Sequence, residues 1–94
     1  MRVTLVRDDV VVPEGEARPA NSLPGKQLAL IGKLHEEVAQ LAKESTDPFG
    51  YADLLEAVSE LMRINEVSWA SVEEASKQKR ETSGAFRRGL VWHV

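Results

Sequence analysis

The sequence predicts an all-α protein, built as a helical hairpin followed by a third helix. Two observations support this fold class. Apolar residues recur at three- and four-residue spacing through 25–44 and again through 48–65, which is the period of an amphipathic helix. Between these stretches, Ser45-Thr46-Asp47-Pro48 supplies turn and N-capping residues. A connection this short predicts antiparallel neighbouring helices.

The first 23 residues predict an irregular arm. Several valines favour extended backbone, but Pro13, Gly15, Pro19 and Pro24 interrupt any regular element. We therefore expect short extended segments at most, here and in the final residues.

The first helix of the hairpin is predicted from about residue 25 to residue 44, and the second from 48 to about 65. The apolar stripe of the first helix comprises Leu28, Ile31, Leu34, Val38 and Leu41. That of the second comprises Tyr51, Leu54, Leu55, Val58, Leu61 and Met62. The hairpin as a whole is placed at 25–66.

A third helix is predicted over 68–82, with Trp69, Val72 and Ala75 facing inward. It is followed by a basic tail, 83–94. One hairpin cannot cover both stripes, so burial requires the third helix, a second copy of the hairpin, or both. The simplest solution is dimerisation into a four-helix bundle, and the whole chain, 1–94, is predicted to form one domain.

Charge is distributed unevenly along the chain. Residues 1–76 hold seven Lys and Arg against fourteen Asp and Glu, whereas 77–94 hold five against one. The overall balance of −3 disfavours binding to nucleic-acid polymers, which need a basic surface. No apolar run is long enough for a membrane span, and there is no cysteine. The expected location is the cytoplasm.

Acidic residues cluster on the two hairpin helices. Glu36 and Glu37 border the first stripe, and Asp53 and Glu56 flank the second. Facing one another near the loop, with Gln40 beside them, these oxygen donors suit Mg²⁺ or Mn²⁺. The competing interpretation is a solvated helix face. Likewise, Lys77, Lys79 and Arg80 either bind an anion or complement a helix dipole.

Three segments resemble the all-α nucleoside triphosphate pyrophosphohydrolases of the MazG and phosphoribosyl-ATP pyrophosphohydrolase type. Residues 5–9, LVRDD, look like an N-terminal LVRDKI signature of one house-cleaning branch. LHEEVAQL at 34–41, followed by YADLLE at 51–56, resembles the family's EExxE and ExxD pair. KRETSGAFRR at 79–88 resembles its KxxERGGFxxR ending.

The resemblance implies Mg²⁺-dependent cleavage of a nucleotide between its α- and β-phosphates by a homodimer or homotetramer, with Mn²⁺ as an alternative metal. Glu36, Glu37 and Asp53 would be catalytic. The implied metal ligands are Glu37, Gln40, Asp53 and Glu56. The implied polyphosphate-binding residues are Lys79, Arg80, Arg87 and Arg88.

Two positions depart from the family pattern. Gln40 stands where EExxE has its last glutamate, and Gly50 where ExxD has its first. Two fewer carboxylates weaken metal binding. The alternatives are therefore a nucleotide-binding or protein-interaction module that has lost catalysis, or a purely structural helical dimer.

Overall fold

The computed structural model describes residues 5–10, 12, 18–20 and 22–93. Three helices follow one another: α1 (Leu23–Lys43), α2 (Pro48–Ile64) and α3 (Trp69–Ser83). The described parts of the arm and tail contain no β-strand. The all-α fold class is confirmed, and each predicted helix boundary lies within two residues of the observed one.

Each helix begins at the kind of residue that capping requires. Ser22, Asp47 and Ser68 are the N-caps, and the side-chain oxygen of each accepts a hydrogen bond from a backbone N–H of the first turn. Pro24 and Pro48 occupy first-turn positions, where no intrahelical N–H is needed. α3 ends at Gly84, whose φ of 80° is readily adopted only by glycine.

Helices α1 and α2 pack along their length as an antiparallel hairpin. At its open end, Lys26 Nζ lies 2.7 Å from Glu60 Oε2, and Gln27 Nε2 donates to Asn65 Oδ1 at 2.6 Å. At its loop end, the hydroxyl of Tyr51 donates to the carbonyl of Ser45 at 2.9 Å. Polar contacts therefore hold both ends of the hairpin.

The hairpin interface uses only one edge of the predicted stripe of α1, together with Leu30. Leu30 is buried, and Leu34 and Leu41 are half-buried. Leu28, Ile31 and Val38 are exposed, because they lie about 80–160° around the helix from Leu30 at 3.6 residues per turn. On α2, Gly50 and Ala57 are the buried residues. α1 is thus apolar on two adjacent faces, and the second of them is largely exposed in the described structure.

Helix α3 does not contact α1 or α2 within the described residues. Of the three residues predicted to face inward, Val72 is half-buried, whereas Trp69 and Ala75 are exposed. The prediction is therefore wrong for Trp69 and Ala75 in the single chain, because α3 does not pack closely on the hairpin.

The tail adds further exposed apolar surface. Phe86 is 98% exposed and Trp92 87% exposed, with Leu90 and Val91 also open. The chain exposes 8560 Å², against about 5,400 Å² for a compact monomer of its mass. Its radius of gyration is 16.3 Å, against about 12 Å for a compact chain of this length.

Replacing Gly32 with alanine is expected to stabilise the hairpin by about 0.5–1 kcal/mol, because alanine is the better helix former. A Cβ at this position meets no atom within 4 Å. The measurement is urea unfolding at one fixed protein concentration, since association would otherwise alter the apparent stability.

Gly50→Ala is the matched comparison, with the same gain in helix propensity. Here a Cβ lies 3.0 Å from Leu41 Cδ2, so the Leu41 side chain must shift. We expect this variant to be about 1–2 kcal/mol less stable than Gly32→Ala. Equal stability of the two would show that α1 and α2 are not closely packed at Gly50.

A pH dependence is expected from Glu60. Hydrogen bonds from Arg63 and Lys26 lower the pKa of Glu60 from 4.5 to about 2. A carboxyl whose pKa is depressed by folding stabilises the fold above its unfolded pKa, and the effect is lost as pH falls through its folded value. Thermal unfolding should therefore show stability declining between about pH 4.5 and 2.

Glu60→Gln should remove part of this decline in stability. Glu73→Gln, on the exposed surface of α3, is the control and should leave the decline unchanged. The difference should shrink at high salt, since Arg63 is mostly exposed. If stability depended on pH equally in the two variants, the stabilising role of the Glu60 carboxylate would be contradicted.

Candidate functional site

The acidic residues of the hairpin lie in different environments. Glu37 is only 8% exposed, within the face of α1 that packs on α2. Its Oε1 lies 3.1 Å from Lys33 Nζ, one helical turn earlier. Lys33 also lies 3.8 Å from a carboxylate oxygen of Glu36, which is half-buried. Lys33 therefore compensates the negative charge of the first acidic pair.

Asp53 of α2 is bound by the N-terminal arm. Arg7 donates to Asp53 Oδ1 from Nη2 at 2.6 Å and from Nε at 3.1 Å. The hydrogen bond and charge of Asp53 raise the pKa of Arg7, and Glu56 and Glu37 raise it further through their charges. One guanidinium thus lies within the field of three carboxylates from both hairpin helices.

The path of the arm explains how Arg7 reaches α2. Leu5 is half-buried and lines a groove of about 260 Å³ along α1, beside Leu28, Ala29 and Gly32. The backbone N–H of Val10 donates to the carbonyl of Arg7 at 3.2 Å, closing a turn around Asp8 and Asp9. The apolar contact at Leu5 and this turn together present Arg7 to Asp53.

The resemblance implies a divalent metal ion, which needs several oxygen or nitrogen ligands within reach of one point. In the described part of the chain, no three Asp, Glu, His or Cys side chains lie close enough to share a metal ion. Asp53 Oδ1 already accepts two N–H groups from Arg7, and both Gln40 and Glu56 are exposed. With Arg7 in place, these residues do not fit a metal site.

Gly50 occupies a position that a glutamate could not fill without rearrangement. It is buried in the hairpin, where a Cβ would lie 3.0 Å from Leu41 Cδ2. Gln40, the other departure, is exposed on α1. The two positions therefore differ in their surroundings, because a side chain at position 40 meets solvent whereas one at position 50 requires Leu41 to move.

The basic residues predicted to bind polyphosphate do not join the acidic ones in the single chain. Lys79 and Arg80 lie on α3, and Arg87 and Arg88 follow it in the tail; all four are exposed. Arg80 Nη1 donates to Ser76 Oγ of the same helix at 2.8 Å. Because α3 does not pack on the hairpin, this basic surface faces solvent.

Two features of the site were not predicted from the sequence. The first is the role of Arg7, whose only signal was its place in the LVRDD segment. The second is the role of Lys33, which precedes Glu36 by three residues and Glu37 by four. Both spacings are typical of ion pairs within a helix.

Comparison of the chain with protein-family models, with curated proteins and with solved structures yields no match. Among the described residues, none of the helices has the length and apolar character that crossing a membrane requires.

Proposed function

We propose that this chain is a nucleoside triphosphate pyrophosphohydrolase-like protein of the cytoplasm. It would cleave a nucleotide between its α- and β-phosphates, releasing the monophosphate and pyrophosphate, with Mg²⁺ or Mn²⁺ as the required ion. One observation supports this proposal most. Two segments that carry the family resemblance meet through the ion pair of Arg7 with Asp53, across 46 residues of sequence.

The charge and burial of each residue indicate the role it would have in the proposed reaction. Glu37 is buried and restrained by Lys33, which suits a carboxylate that must be held in a fixed orientation. Asp53 and Glu56 are more accessible, as groups that meet a ligand must be. Arginine and lysine side chains of α3 and the tail are suited to binding phosphates without proton transfer.

A homodimer or homotetramer is part of the proposal. Leu28, Ile31 and Val38 on the second apolar face of α1 are exposed in the described structure, although Leu5 lies beside Leu28, and Phe86 and Trp92 are almost fully exposed. Covering these surfaces with a second copy would complete a four-helix bundle. It would also bring a basic tail to an acidic body, because opposite charges dominate the two parts of the sequence.

A second candidate function is a nucleotide-binding or protein-interaction module without catalysis. Two observations favour it: Gly50 is packed against Leu41, which would have to shift to admit a glutamate, and Arg7 already pairs with Asp53. Such a module would retain the fold and its exposed apolar surfaces.

The proposed activity is tested by measuring pyrophosphate release from a panel of ordinary and damaged nucleoside triphosphates, with Mg²⁺ and then Mn²⁺. We expect metal-dependent release from at least one nucleotide. Asp53→Asn and Glu37→Gln should each lower it by roughly 100-fold or more, as loss of a catalytic group usually does. Glu73→Gln, on the exposed face of α3, is the control and should be fully active.

Gln40→Glu distinguishes the two candidate functions, since it restores one family carboxylate at a position with room for it. A gain in pyrophosphate release would indicate an enzyme with a weakened site. Silence from the folded wild-type protein and from this variant, across the whole panel, would favour the module without catalysis.

The assembly is tested by sedimentation equilibrium. We expect the wild-type chain to sediment as a dimer or tetramer of 10.4 kDa subunits. Val38→Glu places a charge on the second apolar face and should weaken association by at least about 100-fold, because burying an unpaired charge is costly. Gln40→Glu adds the same charge elsewhere on α1 and should associate normally. A monomeric wild-type chain would contradict this part of the proposal.

A further inference from the structure

The N-terminal arm contains an exposed turn that carries two negative charges. The backbone N–H of Val10 donates to the carbonyl of Arg7 at 3.2 Å, so Asp8 and Asp9 occupy the two central positions of the turn. The side chain of Arg7 pairs with a carboxylate of α2, whereas those of Asp8 and Asp9 are exposed. This acidic turn, from Arg7 to Val10, therefore presents two carboxylates to solvent.

The tail contains a turn of the same kind with two positive charges. The backbone N–H of Gly89 donates to the carbonyl of Phe86 at 3.2 Å, and Arg87 and Arg88 occupy the central positions, both exposed. The φ of Gly89 is 61°, which glycine adopts without strain. The side chain of Phe86 is almost fully exposed. This basic turn, from Phe86 to Gly89, thus combines an aromatic side chain with two cations.

A groove on α1 adjoins the acidic turn. Its apolar walls include Leu5, two residues before the turn, together with Leu28 and Gly32 of α1. Lys33 and Glu36 form its polar edge and offset each other's charge. The volume of the groove is about 260 Å³, and a cavity of about 150 Å³ already holds a benzene molecule. The groove therefore has room for one aromatic side chain.

We infer that the basic turn of one copy of the chain binds the acidic turn and the adjoining groove of a second copy. Phe86 enters the groove, and the two arginines lie against Asp8 and Asp9. Charge complementarity identifies the occupant, because the two turns carry opposite charges at the same two positions. The inference rests on the association that is part of the proposed function, and it specifies which surfaces meet.

The tail of the same chain does not reach this surface. α3 makes no contact with α1 or α2 among the described residues. Its 15 residues extend about 22 Å at 1.5 Å per residue, and the basic turn lies beyond its end. Since every copy carries one acidic turn and one basic turn, two copies related by a twofold axis form both contacts at once.

The test is charge reversal in the full chain, followed by sedimentation equilibrium. Asp8→Lys with Asp9→Lys gives a chain with two basic turns, and Arg87→Glu with Arg88→Glu gives a chain with two acidic turns. We expect each variant alone to associate at least about 10-fold more weakly than the wild type, because like charges then face each other. An equimolar mixture of the two variants should associate as the wild type does. Binding of a chain to its own tail would give no such recovery.

The control variant is Glu73→Lys with Glu74→Lys on α3. It makes the same change of charge as the arm variant at exposed positions outside both turns, and it should associate as the wild type does. Unchanged association of the two turn variants would overturn the inference, as would a mixture that does not recover.

A second measurement locates the contact by nuclear magnetic resonance. The chain has no cysteine, so Ser83→Cys provides a single attachment point for a nitroxide spin label close to the basic turn. Spin-labelled chains are mixed with ¹⁵N-labelled wild-type chains, and the amide resonances of the wild-type copy alone are observed. Broadening should be strongest at Asp8, Asp9 and Gly32 and weak at Thr46 in the hairpin loop. Strongest broadening at any other surface, or none, would contradict the inferred contact.

Neither readout depends on catalysis. Chains that release no pyrophosphate yet recover association in the mixture would contradict the proposed activity and support this inference. A wild-type chain that associates, but whose turn variants associate equally well, would support the proposed assembly and overturn this contact. A monomeric wild-type chain would contradict both.

Discussion

The close approach of α1 and α2 is the constraint on which the rest of the molecule depends. Small residues permit it: Gly50 and Ala57 are the buried positions of α2, and Leu41 fills the space beside Gly50. The Asp47 cap and Pro48 begin α2 directly after the loop, which sets the register of the hairpin. That register brings carboxylates of both helices into the field of one arginine.

The small hairpin interface leaves the molecule with much of its apolar surface uncovered. Leu30 and Ala57 are the fully buried apolar side chains of the described chain, too few for an independent core of ordinary size. Helix α3 is regular and capped at both ends. Together with the tail it adds exposed surface instead of covering the hairpin. The features that shape the fold are therefore local, and the single chain leaves much of its apolar surface exposed.

The sequence predicted the helices well because their signals are local. Periodicity, the Ser and Asp caps and the proline positions determine where a helix begins and ends. The packing face of α1 was predicted only in part: Leu34 and Leu41 lie on it, but Leu30 was missed, since two adjacent apolar stripes make the periodicity compatible with either face. Glu37 was placed at the border of the stripe but lies inside the interface. The contact of Arg7 with Asp53 depends on the path of the arm, which no periodic pattern encodes.

The positive and negative charges of the site are closer to balance once Arg7 is included. Lys33 lies beside Glu36 and Glu37, and Arg7 beside Asp53, so two cations offset about half of the charge of the four carboxylates, Glu56 included. Further carboxylates at positions 40 and 50 would need more positive charge than the chain supplies there. A neutral glutamine and a packed glycine avoid that excess. The side chains at positions 40 and 50 and the arginine on the arm thus act in the same direction, because each lowers the negative charge that the hairpin must accommodate.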